Sequence, residues 1–320
     1  MWNLVADVGG TNMRLAAISN AGSIVDQLSY PSKGDLDFPA ACTRFISEHA
    51  GPPEAAVIAA AGVVSDGAVQ LTNSNQGFTE TELSRACQTH NVKILNDFEA
   101  AAWSLATIDR GDTRVLQGTA NIPHGPRLII GPGTGLGVGA LVWVHGKPHV
   151  IPGEGGHISL SPQTAKELVY FENLAGLWPE IRIGNGVAIE AEAILSGTGV
   201  PYLYQAVAQA KGLSVDPKAA EKVFALAKTR EDEAAVITID LFRRYLGQIA
   251  GDLALVFNAK GGVFLTGGVA LSNPWIFDQS FLAAFNAGGR HSALRAAMPV
   301  YLYQNQDFGL LGARNYVSTR

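Results

Sequence analysis

The first thirty residues alternate short apolar runs with turns rich in Gly and Asn. The runs WNLVAD, MRLAAIS and IVDQLSY are separated by VGGTN and NAGS. Runs rich in β-forming residues that are joined by such turns are typical of β-hairpins. The pattern therefore predicts a three-stranded antiparallel start to the chain.

The same pattern returns after residue 126. Here PRLII, LGVGALVWV and PHVIPG are the apolar runs, and GPGTG and HGK are the turns between them. An approximate repeat on this scale indicates duplication of a βββ unit.

The hydrophobic period changes between and after the two copies. EAAVIAAAGVV and VKILND are apolar and β-branched enough for buried parallel strands, whereas DFPAACTRFISEHA and FEAAAWSLATI have helical spacing. A long helix is predicted over residues 233–259, followed by a strand in GVFLTGG. Hairpins followed by alternating strands and helices predict an α/β fold with a mixed sheet.

Composition narrows the class of protein. The 320 residues are 47% hydrophobic and 16% charged, which suffices for two domains with separate cores. The net charge of −5 and the scattered Lys and Arg residues disfavour nucleic acid or a membrane surface as the main partner. No apolar run is long enough to span a membrane, and the N-terminus lacks the features of a signal peptide. We expect a cytoplasmic protein that binds small molecules.

The two cysteines are far apart in the chain. Neither Cys42 nor Cys87 has another cysteine at the spacing of metal ligands or of a Cys-x-x-Cys motif. We therefore expect two buried thiols, and neither a disulfide framework nor a zinc site.

Three Gly-rich turns follow predicted strands. DVGGTN, residues 7–12, suits either a phosphate-binding loop or a plain hairpin turn. GPGTGLGVG, residues 131–139, matches neither the Walker A loop nor the dinucleotide spacing G-x-G-x-x-G. GGVFLTGGVA, residues 261–270, suits either close approach of a flat ring or a tight strand-to-helix turn. The turns alone leave these alternatives open.

The stretch LNDFEA places an Asn and an Asp between a predicted strand and a predicted helix. Asn96 or Asp97 is well placed to cap the helix, with Glu99 at the position of a capping box. The same position would also suit a catalytic carboxylate.

Further carboxylates and a histidine follow in the second half of the chain. Glu154 and His157 in PGEGGH suit either contacts to adjacent hydroxyl groups or a polar surface loop. Glu190 and Glu192 in AIEAEAILSG suit either ligand binding or a solvated helix face.

Taken together, the motifs resemble the bacterial glucokinases of the hexokinase, actin and heat-shock-ATPase-like superfamily. ADVGGTNMRLA, LTN, LNDFEA, GPGTGLGVG, GEGGH, ILSG, GGVFLTGG and GLLGA occur in the order and near the spacing of that family. The resemblance implies two α/β lobes, each a ribonuclease-H-like mixed sheet (βββαβα) flanked by helices, with the active site in the interlobe cleft. The expected small domain covers 1–107 plus 302–320, where a C-terminal helix begins near 302, and the large domain covers 108–301.

The resemblance also implies the reaction and the role of each motif. ATP would transfer its γ-phosphate to the 6-hydroxyl of glucose, with Asp97 matching the catalytic base and Asp7 acting on Mg²⁺ through water. The residues that match sugar ligands are Asn73, Asn96, Asp97, Glu154, His157 and Glu192. Glu190 fits that spacing less well. The residues that match the ATP-binding loops are Ala6, Asp7, Val8, Gly9, Gly10, Thr11, Gly133, Thr134, Gly135, Gly267 and Gly268.

Some positions depart from the family pattern. Gln76 replaces a usual aromatic residue, Ser159 replaces a common acidic one, and the segment 171–188 differs in composition. These departures leave a kinase for another hexose, such as mannose or an N-acetylated sugar, as an alternative, with a non-catalytic sugar-binding regulator as a second. The resemblance also suggests a homodimer.

Overall fold

The computed structural model describes residues 1–33, 36–72 and 76–319. They form two compact units. The first unit is Met1–Asp109, Gly139–Pro152 and Asn305–Arg320, and the second unit is Arg110–Val138 and Gly153–Gln304. The main difference from the expected domains is that Gly139–Pro152 belongs to the first unit and not to the second. The domain boundaries stay a prediction.

Strands and helices alternate along most of the described chain. The strands are β1 (Trp2–Val8), β2 (Asn12–Ser19), β3 (Ile24–Pro31), β4 (Ala56–Ala60), β5 (Val64–Ser65), β6 (Ala68–Gln70), β7 (Gly77–Thr79), β8 (Val92–Asn96), β9 (Thr113–Gln117), β10 (Arg127–Pro132), β11 (Leu136–Val144), β12 (Lys147–Gly153), β13 (Ser159–Leu160), β14 (Ile189–Glu190), β15 (Gly262–Leu265) and β16 (Val300–Tyr303). The helices are α1 (Phe38–Ser47), α2 (Glu80–Cys87), α3 (Asp97–Ser104), α4 (Ala165–Leu177), α5 (Gly199–Ala210), α6 (Ala220–Thr229), α7 (Glu233–Phe257), α8 (Gly268–Ser272), α9 (Gln279–Asn286), α10 (Ser292–Ala296) and α11 (Phe308–Ser318).

The main sheet of the first unit has the strand order β3-β2-β1-β4-β8. β1, β2 and β3 pair antiparallel, whereas β4 pairs parallel to both β1 and β8. A small three-stranded sheet, β5-β6-β7, is inserted between β4 and α2. The predicted antiparallel start and the two predicted parallel strands are confirmed.

Helices cover the sheet of the first unit, which explains why every residue of the apolar strand β4 is buried. α11 contacts β1 and β4, and it also packs against α3. α11 begins at Phe308 and not near 302, because Val300–Tyr303 is a β-branched and aromatic run that forms β16. That start was predicted wrongly.

Cys42 on α1 and Cys87 on α2 are both fully buried thiols. Burial raises the pKa of Cys42, and the neighbouring Cys87 raises it further. The prediction of two buried thiols is confirmed.

A six-stranded sheet has the order β12-β11-β10-β15-β16-β9. β10, β15 and β16 run parallel, and β9 pairs antiparallel with β16. The order of its first five strands repeats the order in the other sheet, as expected from duplication. The α/β fold with mixed sheets is thus observed.

The long predicted helix is α7, which lies in the second unit. It begins after Asp232, whose side chain accepts from the Ala235 N–H at 3.0 Å, and it ends at Asn258 in the left-handed conformation. None of the helices in the described residues combines the length and the apolar character that crossing a membrane requires.

A buried carboxylate ties α4 to α7. Glu167 accepts from the Tyr245 hydroxyl at 2.7 Å, from Arg244 Nη2 at 2.8 Å and from the Gln163 N–H at 2.9 Å. Burial alone raises the pKa of Glu167, but these hydrogen bonds outweigh it, so the net pKa is lowered.

Candidate active site

The turn between β8 and α3 presents Asn96 and Asp97. The Asn96 Oδ1 accepts from the N–H groups of Phe98 at 2.8 Å and Glu99 at 3.4 Å. The Asn96 Nδ2 donates to the Gly62 carbonyl at 2.9 Å. Asn96 is therefore the N-cap of α3, which confirms the capping interpretation for that residue.

Asp97 is the first residue of α3 and is partly exposed. Its Oδ1 accepts from the Phe98 N–H at 3.0 Å. The N-terminus of a helix favours a negative charge, because the first N–H groups point out of the helix. The position therefore presents a carboxylate on a rigid element, as a proton acceptor requires.

The first Gly-rich turn, residues 9–11, connects β1 and β2 in the first unit. The Gly9 N–H donates to the Asn12 carbonyl at 3.0 Å, as in a hairpin. The buried residue Ser32 stabilises the turn through two hydrogen bonds. Its hydroxyl donates to the Gly9 carbonyl at 2.6 Å, and its N–H donates to the Thr11 carbonyl at 2.8 Å. Sequence reasoning missed Ser32, because a Ser after YP carries no pattern of its own.

Gln76, one of the departures from the family pattern, supports this arrangement. Its Nε2 donates to the Ser32 carbonyl at 3.2 Å. The neighbouring candidate Asn73 lies outside the described residues.

Asp7 lies at the end of β1, beside the first turn. Its carboxylate pairs with Arg14, which also pairs with Asp307. Gly309 at the start of α11 packs on that carboxylate, since a Cβ there would lie 2.6 Å from the Asp7 Cγ. Burial raises the pKa of Asp7, and the Arg14 guanidinium offsets only part of that increase. Arg14, which was not singled out from the sequence, thus forms an ion pair with Asp7.

The second and third Gly-rich turns meet in the second unit. They line a cavity of about 730 Å³, together with residues from the segment 197–224. Its walls include Gly133, Thr134, Gly197, Thr198, Gly268 and Asn273. Ligand sites for small molecules and cofactors commonly have volumes of roughly 300–1,000 Å³. The cavity is therefore large enough for a nucleotide.

Hydrogen bonds fix the shape of the second turn. The Gly197 N–H donates to the Gly133 carbonyl at 2.7 Å, and the Thr198 hydroxyl donates to the Thr134 carbonyl at 2.9 Å. Gly197 and Thr198 were not predicted as ligand-binding residues, although Gly197 is the last residue of the motif ILSG and Thr198 follows it.

The two glycines of the third turn have different tasks. Gly267 has a φ of 89°, and a Cβ there would lie 2.6 Å from the Pro132 carbonyl oxygen. Gly268 lines the cavity and has open space around it. Gly267 therefore makes the turn, whereas Gly268 leaves room for a ligand.

His157 and three carboxylates form a cluster in the second unit. The His157 Nδ1 lies 3.0 Å from the Glu190 Oε2. The Glu190 hydrogen bond raises the pKa of His157, partial burial opposes this, and the charges of Glu190, Glu192 and Glu154 raise it further. The motif spacing favoured Glu192 over Glu190 as a sugar ligand, yet Glu190 is the carboxylate that contacts His157.

Glu192 joins this cluster to the second Gly-rich turn. Its Oε2 accepts from the Leu136 N–H at 2.7 Å. Gly135 lies directly against it, since a Cβ there would be 2.4 Å from the same oxygen. Glu192 thus contacts the end of the turn that lines the cavity.

The described residues contain no group of three or more His, Cys, Asp or Glu side chains that could hold a metal ion. Mg²⁺ usually takes one or two carboxylates, with water and substrate phosphates as its other ligands. A single carboxylate such as Asp7 is consistent with that type of binding.

The glucokinase family model matches residues 4–320. The chain belongs to the glucokinase family. A glucokinase of Chelativorans sp. (strain BNC1) is 35% identical over 321 residues, covering 99% of this chain and 91% of the relative. The crystal structure of a glucokinase from an Antarctic psychrotroph is 30% identical with a TM-score of 0.85, covering 100% of this chain and 99% of that one.

A third comparison concerns the fold alone. A glucokinase from Balamuthia mandrillaris, solved in complex with glucose, is 23% identical with a TM-score of 0.80, covering 99% of this chain and 93% of that one. The predicted family and the predicted two-lobed α/β fold are confirmed.

Proposed function

We propose that this chain phosphorylates glucose, transferring the γ-phosphoryl group of ATP to the sugar 6-hydroxyl. The observation that carries the proposal is the cavity of about 730 Å³ in the second unit. Gly133 and Gly268 are far apart in the sequence, and both line it. A nucleotide-sized cavity between Gly-rich turns in a glucokinase-family chain supports ATP as the phosphoryl donor.

ATP would lie with its phosphates at Gly133, Thr134 and Gly135 and its adenosine beside Gly267 and Gly268. Backbone N–H groups of Gly-rich turns bind anions because no Cβ prevents a close approach. Residues 6–11 of the first unit would contribute further phosphate contacts. Asp7 would hold Mg²⁺ through water, and the bound ion would offset the charge that spreads over the transferring group.

Asp97 is the residue to which we assign proton transfer. Its carboxylate accepts the proton of the 6-hydroxyl while the sugar oxygen forms a bond to the γ-phosphorus. The bond from the γ-phosphorus to the β,γ-bridging oxygen breaks, ADP leaves, and the proton remains on Asp97. An alcohol is a poor nucleophile until its proton has an acceptor within hydrogen-bond reach.

Sugar recognition is assigned to Glu154, His157 and Glu192 of the second unit and to Asn96 of the first. Asn96 Oδ1 is occupied in capping α3, but its Nδ2 carries a second hydrogen besides the one donated to Gly62. We assign that hydrogen to a sugar hydroxyl. Asn73 remains a proposed ligand, and a homodimer and a cytoplasmic location remain predictions.

The test is a coupled assay of ADP formation with Mg-ATP and glucose, mannose, fructose or N-acetylglucosamine, with a reaction lacking sugar as the control. Turnover that is highest with glucose would support the proposal. Higher turnover with another sugar would favour the other-hexose alternative, to which Gln76 and Ser159 point. Sugar binding without any turnover would favour a regulator and refute the proposal.

A further inference from the structure

Glu190 is the carboxylate that the family pattern leaves without a role. It forms the last residue of β14, which pairs antiparallel with β13. In that pairing Glu190 lies opposite Ser159, two residues after His157. The short ladder therefore holds Glu190 beside the histidine.

The backbone around the histidine is also held from both sides. The His157 N–H donates to the Glu154 carbonyl at 3.1 Å, and the Ala191 N–H donates to the Ile158 carbonyl at 2.9 Å. These bonds fix the backbone at each end of the contact between Nδ1 and the Glu190 Oε2. The pair is thus defined by main-chain geometry and not by two flexible side chains alone.

We infer that Glu190 is a positioning residue, which binds the Nδ1–H of His157 and so directs Nε2 as a hydrogen-bond donor to a sugar oxygen. The inference rests on the proposed function, because it assigns His157 to the sugar. The hydrogen bond that one ring nitrogen makes determines what the other can do. When Nδ1 donates to a carboxylate, Nε2 becomes a donor only in the imidazolium form.

The surroundings of His157 favour that form. The charged groups that act on the ring are the carboxylates of Glu190, Glu192 and Glu154, and together they raise the pKa of His157 against the effect of burial. Glucose affinity should therefore weaken as the pH rises through the pKa of His157. Replacing Glu190 with a neutral residue should move that loss to lower pH.

The test uses Glu190→Gln, which keeps a hydrogen-bond acceptor and removes the charge. The matched control is Glu172→Gln, which removes an exposed carboxylate on α4. NMR titration of the imidazole signals reports the pKa of His157, whose signal is assigned by its loss in His157→Gln. Glucose KM and kcat are measured across about pH 6 to 9, the range in which imidazoles titrate.

We expect Glu190→Gln to lower the pKa of His157 and to raise the glucose KM by about tenfold near neutral pH, with little change in kcat. Glu172→Gln should change neither quantity. An unchanged titration of His157 in Glu190→Gln would overturn the inference, and so would a lowered pKa with an unchanged glucose KM. The two proposals fail separately, because wild-type turnover tests the function and the titration tests the pair.

Discussion

Gly135 offers a direct test of how Glu192 is held. A Cβ on residue 135 would lie 2.4 Å from the Glu192 Oε2 and 3.1 Å from its Cδ. Non-bonded atoms do not approach this closely, so Gly135→Ala requires the carboxylate to move. The same oxygen accepts from the Leu136 N–H at 2.7 Å. Moving the carboxylate therefore breaks that hydrogen bond.

The loss in free energy of unfolding is estimated from the hydrogen bond between Leu136 and Glu192 that is broken. A hydrogen bond to a charged group contributes about 1.5–3 kcal/mol to stability. Replacing Gly by Ala returns about 0.4–1 kcal/mol, because the unfolded chain loses conformational freedom. The φ of Gly135 is not in the left-handed region, so backbone strain adds nothing. We expect Gly135→Ala to lower the free energy of unfolding by roughly 1–2 kcal/mol.

Gly133→Ala is the matched control in the same turn. A Cβ there meets nothing within 4 Å, and the residue lines the nucleotide-sized cavity. It should leave the free energy of unfolding unchanged or slightly higher, and it should raise the KM for ATP. Urea denaturation and steady-state kinetics separate the two effects. Equal stability of the two variants would refute the reasoning about Glu192.

Three further predictions concern catalysis, pH and packing. Asp97→Asn should lower kcat by roughly 10²–10⁴, because an amide cannot take the proton, and a near-normal kcat in the coupled assay would contradict the assignment. The lowered pKa of Glu167 provides stability above the unfolded-state value of about 4.3, and that stability is lost as the pH falls through the folded-state pKa. Glu167→Gln should therefore destabilise at pH 7 and progressively less as the pH falls from about 4.3 through the folded-state pKa; a pH-independent difference in urea midpoint would argue against this. Gly312→Ala should destabilise the protein by at least ~2 kcal/mol, since the new Cβ would lie 1.8 Å from the Ala100 carbonyl oxygen. The control is Gly176→Ala on α4, where a Cβ meets nothing within 4 Å and should stabilise the protein by up to ~1 kcal/mol. Thermal melts in which both variants shift the melting temperature in the same direction would refute the packing argument.

The structural elements were largely predictable because their signals are local. The alternation in β1 to β3, the apolar runs of β4 and β8 and the long period of α7 are each contained in one short window of sequence. The start of α11 was missed, because apolar residues occur both in β16 and in the helix that follows it. A short apolar run such as VYLY at 300–303 does not by its pattern alone distinguish a strand from a helix.

The features of the site also fall into those set by local sequence and those set by tertiary contacts. The sequence alone was enough to identify the family, the Gly-rich turns, and Asn96 and Asp97 at the start of a helix, because each motif and each helix cap consists of neighbouring residues. The tertiary structure decided which side chains meet. It paired His157 with Glu190, placed Ser32 beneath the first Gly-rich turn and set Arg14 against Asp7. Such contacts depend on strand register and on the pairing of distant segments, which no local pattern of residue types specifies.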